Sequence, residues 1–363
     1  MKKDIVMNRD FPAKSDFEEK VLDYCKGFGG LKNTHIHGDR AYTRKDEFYF
    51  HIGKSISDLQ NISLPEKQKL TWALHKGIAF HPDCIRERGE RLLNESIKFG
   101  VTELSTTVDI TYNTKLKSLE VWEKLKKDYS EKIKVNILAY NPSGFKVRGL
   151  DDVRYELFEE GVKRADGLVA LAEKDRKEGH LGERQHNLYI ASLSHKFQKP
   201  AQYHVGQENR PTDRTVEILL EDLAYLQDIH FNESPNVFPK QSMVHAVSPS
   251  GKSVEEFNKI SDETAKRNIS LIVCSRAAIS MYQDEKQLAN IYNSIAKAWR
   301  FIAKGVDVSL GVDNLNDIFV PASSADLYDE AEDFANLLRG YQERLIAKVL
   351  CGKKFDDFDR GSL

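Results

Sequence analysis

From residue 31 onward, short runs of apolar and β-branched residues alternate with longer segments in which apolar residues recur every three or four positions among charges, the rhythm of βα units. Eight runs predict strands: LKNTHIH (31–37), VTELSTTV (101–108), IKVNILAY (133–140), GLVALA (167–172), PAQYHV (200–205), SMVHAV (242–247), SLIVCS (270–275) and VDVSLGV (306–312). Between them, KLKSLEVWEKLKKDYSEK spaces Leu116, Leu119, Val121, Trp122 and Leu125 at helical intervals. RTVEILLEDLAYLQDI does the same with Val216, Leu219, Leu220, Leu223 and Leu226, so each predicts a helix laying an apolar stripe on a sheet. Eight strands are the number that closes a (β/α)8 TIM barrel.

The segment from Pro65 to Phe99 is longer than one crossover helix needs, so extra helices are expected after strand one (about 60–99), as a lid or pocket wall. A helical lead-in containing VLDYCKGF precedes the first strand, and a helical tail closes the chain. No linker, repeat or low-complexity tract divides the 363 residues, so the expectation is a single elaborated barrel domain over 1–363. The alternative, an open doubly wound sheet, would show a glycine-rich phosphate loop after an early strand, whereas GFGGLK precedes the first one.

Charge narrows the partners. The 54 basic and 56 acidic residues nearly cancel and no basic block stands out, which argues against nucleic acid and for a small-molecule partner. No apolar run approaches the ~18 residues that a membrane span needs. Four scattered cysteines without a CxxC pair fit the reduced thiols of a cytoplasmic protein.

In a barrel, functional residues belong at the C-terminal ends of strands. His35 and His37 end strand one, two residues apart and so on one face. His204 ends strand five, His245 ends strand six and Asp313 follows strand eight. Singly, each has a bland reading: hydrogen-bonded strand histidines, or a helix N-cap for Asp313. Jointly, several buried histidines at one barrel mouth would repel if protonated unless a cation organised them. Histidine nitrogens with one carboxylate suit zinc or ferrous iron. Such an ion lowers a bound water's pKa from 15.7 toward about 7, which makes hydrolysis the natural reaction class.

The order THIHGDRA, YHVGQE, VHAVS and LGVDNLNDIFVP resembles the amidohydrolase superfamily, most closely its cytosine deaminase-like branch, with adenosine deaminase a more distant relative. The resemblance covers about residues 31–325. It implies that His35, His37, His204 and Asp313 ligate one divalent metal, that His245 polarises the water or substrate, and that Asp313 accepts the water's proton. The dipeptide Asp39-Arg40 also resembles the branch. Binuclear members carry a lysine within strand four; GLVALAEKD places none there, and Lys174, beyond the strand, reads as a solvated loop residue, so one metal is expected.

The branch also carries a proton-shuttling glutamate three residues after the strand-five histidine, and here that position is Gln207. An amide cannot release a proton in the relevant range. Glu208 could replace it if a bulge near Gly206 swings it inward; without the bulge, alternation points it away and it serves as a helix N-terminal carboxylate. Neither the stretch before strand one nor the helical tail reads as the β-sandwich appendage that cytosine deaminases carry.

Pocket candidates are Phe48, Tyr49, Phe50 and His51 after strand one, Asn141 and Phe145 after strand three, Glu173 after strand four, and Ser275 and Arg276 after strand seven. Gln207, Asn141 and Arg276 are the candidate substrate-binding residues, although a structural salt bridge is the commoner fate of such an arginine. His75 and His81 read as surface or lid residues. The functional expectation is a metal-dependent deaminase of an amino-substituted nitrogen heterocycle, in an architecture that often forms homo-oligomers. Two alternatives stand beside it: hydrolysis of another C–N bond with an altered proton shuttle, and a non-catalytic binding protein on a deaminase barrel.

Overall fold

All eight apolar runs form strands: β1 (Leu31–Ile36), β2 (Val101–Asp109), β3 (Lys134–Tyr140), β4 (Gly167–Ala170), β5 (Ala201–Val205), β6 (Gln241–His245), β7 (Ser270–Val273) and β8 (Val308–Leu310). They lie in sequence order in one parallel sheet. The computed structural model describes residues 5–59, 62–147, 149, 152–178, 180–207, 210, 212–230, 237–280 and 295–363. The barrel closes where β1 meets the chain after β8. Asp313 N–H donates to the His35 carbonyl (3.0 Å) and His37 N–H to the Asp313 carbonyl (2.8 Å), so candidate ligands make the seam.

Gly311 permits that seam. A Cβ there would stand 2.8 Å from the His35 carbonyl oxygen and 2.9 Å from its Cβ, too close for any side chain.

Helices ring the sheet as the apolar spacing requires. Lys117–Asp128 buries Leu119, Val121, Trp122 and Leu125, and Thr215–Ala224 buries Val216, Leu219, Leu220 and Leu223. Beyond Ala224 the second helix widens into a π turn, Tyr225–His230. After β1 the chain forms helices Leu64–Lys76 and Pro82–Lys98. The first starts at Ser63, whose N–H donates to Glu66 (2.9 Å), and its Leu64, Lys67, Gln68 and Thr71 wall the barrel mouth. Among the described residues, no helix is long and apolar enough to cross a membrane.

Strand one departs from simple alternation. Lys32 and Thr34 line a polar cavity with Glu103, Ser105, Asn136 and Ser242 from neighbouring strands, yet His35 also points to the barrel axis. The pairing with β2 explains it: Asn33 faces Leu104 and Ile36 faces Thr106, three steps on β1 against two on β2. This bulge inserts one residue and re-aims the side chains beyond it. Ile36 then packs outward in the main core, and His35 and His37 turn inward.

Candidate metal centre

Local backbone geometry aims the convergent side chains. His35 and His37 follow the β1 bulge, and His204 is an inward residue of β5. His245 and Asp313 have φ of 73° and 63°, and Ala246 is also left-handed at 45°. Left-handed backbone costs a non-glycine residue on the order of 1–3 kcal/mol and persists where the surroundings over-determine it, typically at functional sites.

One ligand atom from each of His35, His37, His204 and Asp313 falls within 4.8 Å of all the others, and all four residues are buried. Asp313 Oδ1 lies 3.0 Å from His37 Nε2 and 3.6 Å from His35 Nε2, while Oδ2 lies 3.6 Å from His245 Nε2.

The outer ring nitrogens fix the inner ones. His35 Nδ1 is 2.6 Å from Gln202 Oε1 and His204 Nδ1 is 3.1 Å from the Ala170 carbonyl. Both partners are acceptors, so each Nδ1 carries the proton and each Nε2 presents a lone pair. Those two Nε2 atoms face each other at 3.1 Å, an arrangement that repels unless a cation lies against both. His37 Nδ1 meets Thr107 Oγ1 at 2.7 Å and Arg40 Nη2 at 2.6 Å. Arg40 can only donate, whereas the Thr107 hydroxyl can donate or accept, so with Nε2 given to a metal and Nδ1 protonated, Thr107 would be the acceptor.

Titration behaviour agrees with the donor set. Burial lowers His37 to about 4, helped by the Arg40 charge, and burial lowers His245 to about 4 as well. Burial and the neighbouring histidines take His204 well below its ordinary value. Burial alone would raise the Asp313 carboxyl, but its contacts with His35 and His37 hold it well below the usual range. His37, His204 and His245 are therefore held neutral and Asp313 ionised, with Asp313 Oδ1 buried and receiving no well-directed hydrogen bond. This donor chemistry fits a divalent cation.

A second buried layer stands behind it. Arg40 Nε is 3.2 Å from Asp109 Oδ2, and Asp39 accepts the Asp109 N–H at 2.6 Å. His75, read from the sequence as a surface or lid residue, is instead buried, with Nε2 2.8 Å from Asp109 Oδ2. The insertion folds back onto the end of β2, which local sequence does not reveal. Burial raises Asp39, with Asp109 adding to it, whereas Arg40 and His75 hold Asp109 below the usual range despite its burial. His81 is largely exposed.

Above the cluster lies a cavity of about 70 Å³, lined by His37, Arg40, Tyr140, His204, His245 and Asp313 on the barrel side. Leu171, Gln207, Phe319 and Val320 add a largely apolar wall. Gln207 donates from Nε2 to Glu173. Glu208 lies outside the described residues.

Other sequence candidates serve the scaffold. The Asn141 amide closes its own loop, donating to the Gly144 carbonyl (2.9 Å) and accepting from Ser143 N–H (3.0 Å). Arg276 pairs with Asp333 (2.8 Å) and Asp329 (3.0 Å) of helix Leu327–Leu338. Phe48, Tyr49 and Phe145 are core residues, Phe50 is exposed, and His51 Nε2 is 2.9 Å from the Ala73 carbonyl. Ser275 is buried. Lys174, read as a solvated loop residue, is buried, because the chain enters helix Ala172–Glu178 directly after β4.

Sequence reasoning passed over Gln202, Thr107 and Asp109. Gln202 shares the inward face of His204 by the strand period, and Asp109 ends a strand at the mouth, so both signals were present.

No protein-family model matches the chain, and no curated protein matches it. Solved structures do. The 5-methylcytosine deaminase from Klebsiella pneumoniae liganded with phosphonocytosine superposes with a TM-score of 0.72 at 15% identity, over 88% of this chain and 73% of that one. N-isopropylammelide isopropylaminohydrolase from Burkholderia multivorans gives 0.64 at 18% identity, over 88% and 72%. The Arabidopsis N6-mAMP deaminase gives 0.56 at 14% identity, over 92% and 96%. The chain thus has the barrel fold of these proteins, the one that the resemblance to amidohydrolases leads one to expect.

Proposed function

We propose that this protein is a metal-dependent amidohydrolase that deaminates a small, amino-substituted nitrogen heterocycle. The observation that carries the reading is the convergence of His35, His37, His204 and Asp313 within 4.8 Å, with His245 against the second Asp313 oxygen. These four residues would hold one zinc or ferrous ion. Such an ion, when bound, would supply Lewis acidity that lowers the pKa of water at the site.

The chain's residues supply the rest. Asp313, ionised at neutral pH, can accept a proton at Oδ2 beside His245 Nε2. His245, uncharged at neutral pH, can hold a hydrogen bond to the oxygen that adds to the ring. Tyr140, Leu171 and Phe319 offer flat or apolar surface that excludes water from a planar ligand. Unpaired thiols at all four cysteines support a cytoplasmic setting.

One observation favours a second reading. Gln207 stands where a shuttle carboxylate is expected, so hydrolysis of another C–N bond with an altered proton shuttle is the alternative. The Burkholderia neighbour, named as an isopropylaminohydrolase, makes alkylamines worth adding to the screen.

The test is release of ammonia or alkylamine from pyrimidines, purines, pterins and triazines by metal-loaded protein. Ammonia from any of them supports deamination. Alkylamine alone moves the assignment to the second reading, and no release from any compound, with metal bound, overturns both in favour of a binding protein.

A further inference from the structure

Gln207 has one oxygen and one nitrogen to offer, and its neighbour decides which faces the ligand. The residue follows Gly206, whose φ of 57° turns the chain at the end of β5. A Cβ at Gly206 would stand 2.7 Å from Ser248 Oγ, so the turn is built for glycine. Gln207 is buried and lines the same cavity as His204, three residues beyond it, and as His245 and Asp313. Behind it, away from the cavity lining, lies the buried Glu173 in the first turn of helix Ala172–Glu178.

The two ends of an amide are nearly the same shape, but an ionised carboxylate only accepts hydrogen bonds. The structure shows the arrangement that such a carboxylate requires, with the NH2 of Gln207 donating to Glu173 Oε1. Gln207 lines the cavity and Glu173 holds its nitrogen, so Oε1 is the end left for a ligand; among the described residues Oε1 accepts no hydrogen bond. The wall thus shows the ligand a pure acceptor.

We propose that Glu173 is a positioning residue that locks Gln207 as an acceptor, so that the pocket selects heterocycles with an N–H flanking the amino-bearing carbon over those with a bare ring nitrogen there. The inference rests on the deaminase reading above and adds a substrate class to it. Isocytosine and guanine carry such an N–H; cytosine and adenine set a lone pair against the Gln207 oxygen. A site built around one hydrogen-bonding pattern rejects the mismatched analogue by far more than a pocket that senses only shape.

Isocytosine and cytosine are isomers, so comparing them isolates the pattern. Calorimetric binding and ammonia release by metal-loaded protein should favour isocytosine by at least about tenfold. In Glu173→Gln the amide is free to turn, and the preference should collapse to within about threefold with metal content unchanged. A structural role alone would weaken both isomers together. Gln207→Glu gives an independent check: two adjoining carboxylates share a proton, a donor becomes available, and cytosine should gain on isocytosine.

Cytosine equal to or better than isocytosine in the unaltered protein, with metal bound and ammonia released, overturns the inference and leaves the deaminase reading standing. An unchanged ratio in Glu173→Gln overturns the role of Glu173. Neither binding nor ammonia from either isomer removes the inference; if the wider screen is silent as well, the deaminase reading falls with it.

Discussion

Replacing Gln202 tests whether the cluster is built to bind metal. Gln202 Oε1 accepts from His35 Nδ1 at 2.6 Å, and its Nε2 donates to the Thr34 carbonyl at 3.0 Å. Gln202→Leu leaves a buried imidazole N–H and a carbonyl without these partners, each orphan costing about 1–3 kcal/mol of folding stability. It also frees the His35 ring to rotate and to change tautomer. Loss of such an outer partner typically weakens metal binding 10–100-fold, or about 1.4–2.7 kcal/mol. Gln202→Glu loses the donor to Thr34 in the same way but keeps an acceptor for His35, now a charged one. Comparing the two variants therefore isolates the histidine contact. Zinc affinity measured by competition with a chromogenic chelator should fall 10–100-fold in the leucine variant and equal or exceed the original in the glutamate variant. A leucine variant within twofold of the original, or a glutamate variant as weak as leucine, would show that this contact does not hold the metal ligand in place.

Other outcomes are expected from the same geometry. His245→Asn should keep its metal and lose about 100-fold or more in ammonia release, since it touches Asp313 Oδ2 but is not part of the ligand cluster; metal loss instead would make it a ligand. Gly311→Ala forces a Cβ to within 2.8 Å of the His35 carbonyl, so melting temperature and metal content should fall together. The metal-free protein should lose stability as pH falls from 6.5 toward about 4. In that window the unfolded chain protonates His37 and His245 while the folded one does not, at up to about 1.4 kcal/mol per pH unit for each. These groups contribute no slope above that range, and a flat melting temperature through the window would contradict the burial assigned to them.

The strands and the convergent residues were legible because both follow from one-dimensional rules. Short β-branched runs mark strands, and a barrel gathers its strand ends, so His35, His204 and Asp313 meet although 278 positions separate the first from the last. The illegible features depend on pairing between distant segments. The β1 bulge that turns His35 inward exists only in register with β2. His75 is buried because the first insertion folds back onto Asp109. Arg276 finds its acids more than fifty residues later, and Gln207 finds Glu173 on a different strand end, 34 residues earlier. Periodicity within a segment is blind to such contacts.

The proposed chemistry stands on the metal, so metal content is the decisive quantity. Inductively coupled plasma mass spectrometry on protein purified without chelator should find about one zinc or iron per chain. His35→Ala and Asp313→Ala should each remove most of it. A protein that stays folded yet retains no zinc or iron after loading with either would show that these four residues do not form a metal centre.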